Sequence, residues 1–315
     1  MSLYDRIFAE PELQAAPPVL VDVGAAGGIH GAWRAIARHS IGVGFEPDAR
    51  DAAALGGAAR LFRRWILCPG LVVPERPADG TTALHLTRSP QCSSTLPPRA
   101  DALHEWAFAE FFDVQETRAL PAATLADFLG QRGIDRIDWL KCDTQGLDLK
   151  IFLGLPAEWR SRVLALDFEP GVIDAYAGED KLADVLTAMQ TEPFWLADLS
   201  VGRTARGRPK LLAEALGPDA VRRVRQLGPA APAWANLRFL RTLPDSPADR
   251  RMHLIGWVFA MMARQPAEAL AIARAGAERF GGDLFARMTA ASVSALRWAM
   301  IRGIPAACWR RLTRG

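Results

Sequence analysis

Apolar residues in this chain follow two rhythms. Up to about residue 243, short continuous apolar runs alternate with stretches at helical spacing, the pattern of a parallel sheet covered on both faces. Residues 19–23, 41–45, 137–142 and 163–168 read as buried strands, with 194–199 and 234–240 as further strands. Residues 1–18 read as a lead-in helix closed by Pro17 and Pro18, and 31–39 as a helix with Trp33 and Ile36 on one side. Residues 52–59, rich in alanine, are expected to be helical. Residues 71–73 and 83–86 flank Asp79-Gly80, which predicts a hairpin turn between two strands. SPQCSSTLPP at 89–98 reads as a loop, and 103–112 as a helix carrying Trp106, Phe108, Phe111 and Phe112. Thr124 is the expected N-cap of a helix that stops near Gly133. Helices are also expected over 147–153 and 181–189, and residues 202–233 read as a long connection with a helix near 211–216.

After Leu243-Pro244 the second rhythm takes over. Ala, Arg and Met dominate at helical spacing, and ALAIARAGAERF hints at a helical hairpin. The expected organisation is therefore a lead-in helix at 1–18, a sheet domain at 19–243 and a helical extension at 244–315.

Composition narrows the class only a little. A formal charge of +3 over 315 residues does not argue for nucleic acid. Of the 38 basic residues, 34 are arginine, which reads as a compositional habit. Cys68, Cys92, Cys142 and Cys308 lack C-x-x-C spacing, so neither a disulfide framework nor a metal site is indicated. A cytoplasmic setting is expected. No secretion signal is apparent, and the apolar run at 255–263 is too short to cross a bilayer. No stable membrane insertion is expected, although the basic end leaves loose surface contact open.

The chemistry concentrates between residues 19 and 48. LVDVGAAGG is an apolar strand entering a glycine-rich turn, and IGVGFEPD is a second strand ending in Glu46. That order builds a nucleotide pocket, in which glycines admit the ligand and a terminal acid grips ribose hydroxyls. The loop is not G-x-G-x-x-G, so S-adenosylmethionine is favoured over a dinucleotide.

The blocks LVDVGAAGG at 20–28, GFEPD at 44–48, DGTTALHLTRSPQCSS at 79–94 and IDWLKCDTQGLDLKIFLGL at 137–155 occur in an order that resembles the FkbM family of methyltransferases. The resemblance continues through LALDFEP to WANLRFLR. Gln145 departs from it, standing where many members carry glutamate. The resemblance implies an α/β, Rossmann-like class I methyltransferase fold: a mostly parallel seven-stranded sheet flanked by helices. It also implies S-adenosylmethionine-dependent O-methylation of a sugar, glycan or polyketide-like hydroxyl.

In-line methyl transfer needs donor and acceptor held close and a base for the hydroxyl proton. Asp22, Gly24, Ala25, Ala26 and Gly27 are the expected contacts to the methionine part of the cofactor, with Glu46 at the ribose. Lys141, Asp143 and Gln145 follow a strand and precede a helix, so they belong at the carboxyl edge of the sheet, as does Glu169. Asp143, Glu169 and Lys141 are the catalytic candidates. Ser93, Ser94 and Gln145 are candidates for binding the acceptor. Structural alternatives stand beside each: a helix cap for Asp143, an arginine partner for Glu169, an ion pair for Lys141. His85 and His104 are weaker candidates for a base. Competing readings are a catalytically silent methyltransferase-like binding module and, with less support, an NAD(P)-dependent oxidoreductase. The tail is expected to pack on its own domain, cover the acceptor cleft, form a homodimer face or dock a partner.

Overall fold

The computed structural model describes residues 2–25, 30–47, 57, 60–243 and 249–312, with side chains described as far as residue 301. Residues Ala26, Gly27 and Asp48 and most of 52–59 lie outside the described residues.

Strands β1 (Val19–Val23), β2 (Ile41–Phe45), β3 (Arg64–Cys68), β7 (Trp139–Cys142), β8 (Ala165–Phe168), β9 (Phe194–Thr204) and β10 (Ala231–Arg241) make a seven-stranded sheet. Its order is β3-β2-β1-β7-β8-β10-β9. The pairs β1/β2, β2/β3, β1/β7 and β7/β8 are all parallel. Order reverses between β1 and β7, the position where open α/β sheets form a ligand crevice beyond their strand ends. The fold is α/β with a mostly parallel central sheet flanked by helices.

Burial explains why the central strands are continuous apolar runs. Every residue of β1 and β8 is buried, because helices cover both faces. Val21, Val43, Leu140 and Leu166 are fully buried among Phe45, Phe152, Phe168 and Phe239. The entry to β1 is fixed by Asp138, a buried carboxylate whose Oδ2 accepts from Val19 N at 2.8 Å. This contact fixes β1 and β7 in one register, with Leu20 opposite Trp139.

A second sheet has the order β4-β6-β5, with β4 (Leu71–Val72), β5 (Thr81–Thr87) and β6 (Val114–Ala123). This corrects the expected hairpin. The strands on either side of Asp79-Gly80 do not pair with each other. Instead β6 runs between them, antiparallel to β5 and parallel to β4. Gly80 still turns the chain, at φ 72°, and its carbonyl accepts from Ala122 N.

Other expectations are also revised. Residues 31–39 form two 3₁₀ turns (Gly31–Ala35 and Ala37–His39) and not one α-helix, while Trp33 and Ile36 are both buried. The aromatic stretch 103–112 is broken into the ends of two short helices, Ala100–Leu103 and Ala109–Phe112. The connection 202–233 contains the end of β9, two helices (Pro209–Leu216 and Ala220–Leu227) and the start of β10. Thr124 caps the helix Leu125–Gly130 as expected, its Oγ1 accepting from Asp127 N at 3.2 Å.

The chain divides into two compact units, Pro18–Phe239 and residues 1–17 with 240–315. In the second unit, helices Leu3–Phe8 and Pro11–Ala15 join helices Arg250–Met262, Pro266–Phe280 and Asp283–Leu312. ALAIARAGAERF lies within the single helix Pro266–Phe280 and is not itself a hairpin. Arg250 links the two ends of the chain, pairing with Glu10 at 2.6 Å and with Glu12.

Candidate functional site

The site is built where β1, β2 and β7 end. Gly24 follows β1 at φ +80°, and a Cβ there would lie 2.0 Å from the Asp143 carbonyl oxygen. Only glycine lets the two strand ends approach this closely without strain. Gly24 N and Ala25 N both donate to Phe45 O at 3.1 Å, and Asp143 N donates to Val23 O at 2.9 Å. The three strand ends are thereby tied into one rim. Glu46, next after β2, is buried, with its backbone N–H on Cys68 O.

A cavity of about 140 Å³ opens on this rim, and Gly24, Glu46, Ser93, Ser94, Asp143 and Gln145 all line it. Six of the residues singled out from sequence thus come together. Ala25 is buried outside the lining. His85 and His104 do not line it: His85 Nδ1 lies 3.2 Å from Thr117 Oγ1, and His104 pairs with Glu105 at 3.1 Å.

Asp22 and Lys141 form a clamp beneath the rim. Lys141 Nζ donates to Asp22 Oδ1 at 2.8 Å and to Gly24 O at 3.2 Å, and lies 3.8 Å from Asp143. Burial opposes the charge on Lys141, but Asp22, Asp143 and Asp148 outweigh it and hold the ammonium above its ordinary range. Burial pushes the Asp22 carboxyl up to about 6, against the pull of Lys141. Both groups therefore remain charged at neutral pH, and the pair fixes the backbone on which the cavity rests.

The serine loop is anchored to the same turn. Ser94 Oγ donates to Gln145 O at 2.9 Å and accepts from Leu96 N, while Ser93 Oγ accepts from Thr87 N. Gln145 has φ 58°, and its side chain bridges two groups. Its Nε2 donates to Asp143 Oδ1 at 2.8 Å, and its Oε1 lies 3.1 Å from the Tyr176 hydroxyl. An amide satisfies both neighbours, donating to a carboxylate and accepting from a phenol. A glutamate here would set a second carboxylate against Asp143.

Asp143 also borders two further cavities. One, of about 370 Å³, is lined by Phe108, Phe111, Phe112, Tyr176, Trp234 and Glu169 among others. The aromatic residues read from sequence as carried on one helix line this space, with the exception of Trp106. The other is smaller and polar, lined by His30, Lys141, Asp167, Glu169 and Arg238 among others. There Arg238 Nε donates to Asp167 Oδ1 at 2.6 Å, and Trp139 Nε1 donates to Asp167 Oδ2 at 2.8 Å. Lys141 lies in this polar cavity and outside the first.

Glu169 lines both of these cavities. Burial, with Asp143 and Asp148 adding, pushes its carboxyl up to about 8. Its backbone is fixed by Asp148, whose Oδ2 accepts from Glu169 N at 2.7 Å and whose Oδ1 accepts from Thr144 N and Oγ1. Asp148, Tyr176, His30, Asp167 and Arg238 were not singled out from sequence. Asp148 lies inside the IDWLKCDTQGLDLKIFLGL block, Asp167 inside LALDFEP and Arg238 inside WANLRFLR, so those three had a nearby signal and His30 and Tyr176 did not.

A cavity over parallel strand ends at the switch point, bordered by a glycine turn and an acid, lies where Rossmann-like α/β folds place their ligand crevice. The profile described as Methyltransferase FkbM domain matches residues 22–190, more than half of the chain. The chain belongs to the FkbM methyltransferase family. No curated protein matches it. Among the described residues no group of His, Cys, Asp and Glu could hold a metal ion.

Proposed function

We propose that this methyltransferase uses S-adenosylmethionine to O-methylate a hydroxyl of a sugar, glycan or polyketide-like acceptor. The observation that carries the reading is the meeting of Gly24, Glu46 and Asp143 around one cavity. The close approach of the β1 and β7 ends that Gly24 permits shapes the turn on which the cavity opens, and the buried acid at the end of β2 supplies the acceptor that ribose hydroxyls require.

Bound there, the cofactor supplies an electrophilic methyl group. Gly24 admits the ligand to the backbone, and Glu46 accepts hydrogen bonds from ribose hydroxyls. The aromatic cavity receives the acceptor, whose apolar faces stack on Trp234 and the phenylalanines. Asp143 stands between the two cavities, held by Gln145, and orients the reacting hydroxyl. Glu169 takes the hydroxyl proton, its raised proton affinity suiting it to act near neutral pH.

Titration calorimetry with the intact chain tests the reading. S-adenosylmethionine or S-adenosylhomocysteine binds, and Glu46→Ala weakens binding by about 10- to 100-fold, the worth of charge-assisted hydrogen bonds. Glu46 is a better probe than Asp22, whose removal would strand Lys141. Absence of binding to the intact chain overturns the cofactor. Binding with no labelled methyl transferred into fractionated cell extract would favour a silent binding module.

A further inference from the structure

The last described helix, Asp283–Leu312, changes character along its length. Its first half is packed: Phe285, Met288 and Ser292 are fully buried, and Ser292 Oγ accepts from Trp257 Nε1 at 2.9 Å. From Arg297 to Ile301 every residue is exposed. Trp298, Met300 and Ile301 are 61, 64 and 56 % exposed, large apolar side chains that water does not stabilise. Ala290, Val293, Ser294, Arg297, Trp298 and Ile301 line one shallow groove at the spacing of a single helix face. In the sequence the same spacing runs on through Ile304, Cys308 and Leu312, with a second tryptophan at Trp309.

The charge is one-sided. Residues 284–315 contain six arginines (Arg287, Arg297, Arg302, Arg310, Arg311 and Arg314) and no aspartate or glutamate. A second copy of the chain would bring a second arginine-rich, acid-free segment against the first, so self-association is opposed. An anionic surface would be attracted to it. Tryptophan and arginine along an apolar stripe are the composition of a helix lying in the lipid headgroup layer. Crossing the bilayer is a different matter: among the described residues no helix is long and apolar enough to do so.

We infer that the helix surface centred on Trp298 and Ile301, with Arg297 beside it and the arginine-rich sequence that follows, docks on an anionic phospholipid membrane. The arginines supply attraction to the headgroups, and the exposed apolar side chains enter the boundary beneath them.

Flotation of the full chain with liposomes tests this. Vesicles of phosphatidylcholine with about a third phosphatidylglycerol carry the protein to the top of the gradient, and pure phosphatidylcholine vesicles do not. Half-molar salt weakens the binding. Arg297→Ala lowers partitioning about fivefold, the worth of one basic side chain at such a surface. Trp298→Asp with Ile301→Asp abolishes it while the thermal midpoint stays unchanged, both side chains being exposed. Equal recovery with neutral and anionic vesicles, or no flotation, overturns the inference. So does light scattering that shows a dimer lost in the double aspartate variant, which would assign the surface to a second copy. Binding to a mixed-sequence oligonucleotide but not to anionic vesicles would assign it to nucleic acid instead.

Discussion

Glu169 shows how one side chain can carry a measurable signature of the site. Its carboxyl has a folded-state pKa of about 8, against an ordinary value of 4.5, because it is buried beside Asp143 and Asp148. A carboxyl with a raised pKa favours the folded state while it is protonated. That stabilisation is complete below about pH 4.5 and is lost as pH rises through about 8. Glu169→Gln cannot ionise, so its thermal midpoint is expected to match the wild type near pH 4.5 and to exceed it above pH 8. The same proton gives methyl transfer a rising limb between about pH 6 and 9 that the variant lacks. Glu169, Asp143 and Glu46 were legible because each follows a buried apolar run, and strand ends in a parallel sheet face the ligand crevice. Tyr176 was not legible. Its hydroxyl meets Gln145 across 31 positions of chain, and no local pattern announces such a contact.

Among the elements, the turn from β7 into the helix Asp148–Leu153 holds the site together. Asp148 caps it from inside, accepting from Thr144 N, Thr144 Oγ1 and Glu169 N. Asp148→Asn turns an amide N–H₂ toward one of these donors and leaves it unsatisfied. A loss of about 1–3 kcal/mol in urea unfolding is expected, the cost of one buried unpaired group. An unchanged midpoint would mean that the two strand ends are held otherwise. The central strands β1, β2, β7 and β8 could be read from sequence because burial on both faces makes them continuous apolar runs. β6 could not: it is mostly exposed, reads VQETRALPAA and carries Pro121. Its place between β4 and β5 depends on pairing across 27 to 51 residues, which hydrophobic spacing does not encode. The 103–112 stretch misleads for the opposite reason, since its aromatic rings line a cavity wall and do not form a helical stripe.

At the scale of the whole molecule, both ends of the chain belong to one unit. Arg250 is held by Glu10 and Glu12, Arg251 Nε donates to Ala16 O at 3.0 Å, and Tyr4 meets Trp257 edge-on. Deleting residues 1–16 removes all of these partners. A lower unfolding midpoint is expected in scanning calorimetry, with on the order of 2 kcal/mol lost from these contacts alone. The unit Pro18–Phe239 is continuous in sequence and interrupts the other. Synthesis runs from the N-terminus, so the enzyme body can finish folding on the ribosome while the first sixteen residues still wait for their partners. The helical unit closes last, and a nascent chain whose Arg241 has just cleared the ribosome would hold a completed sheet with an unsatisfied leading segment.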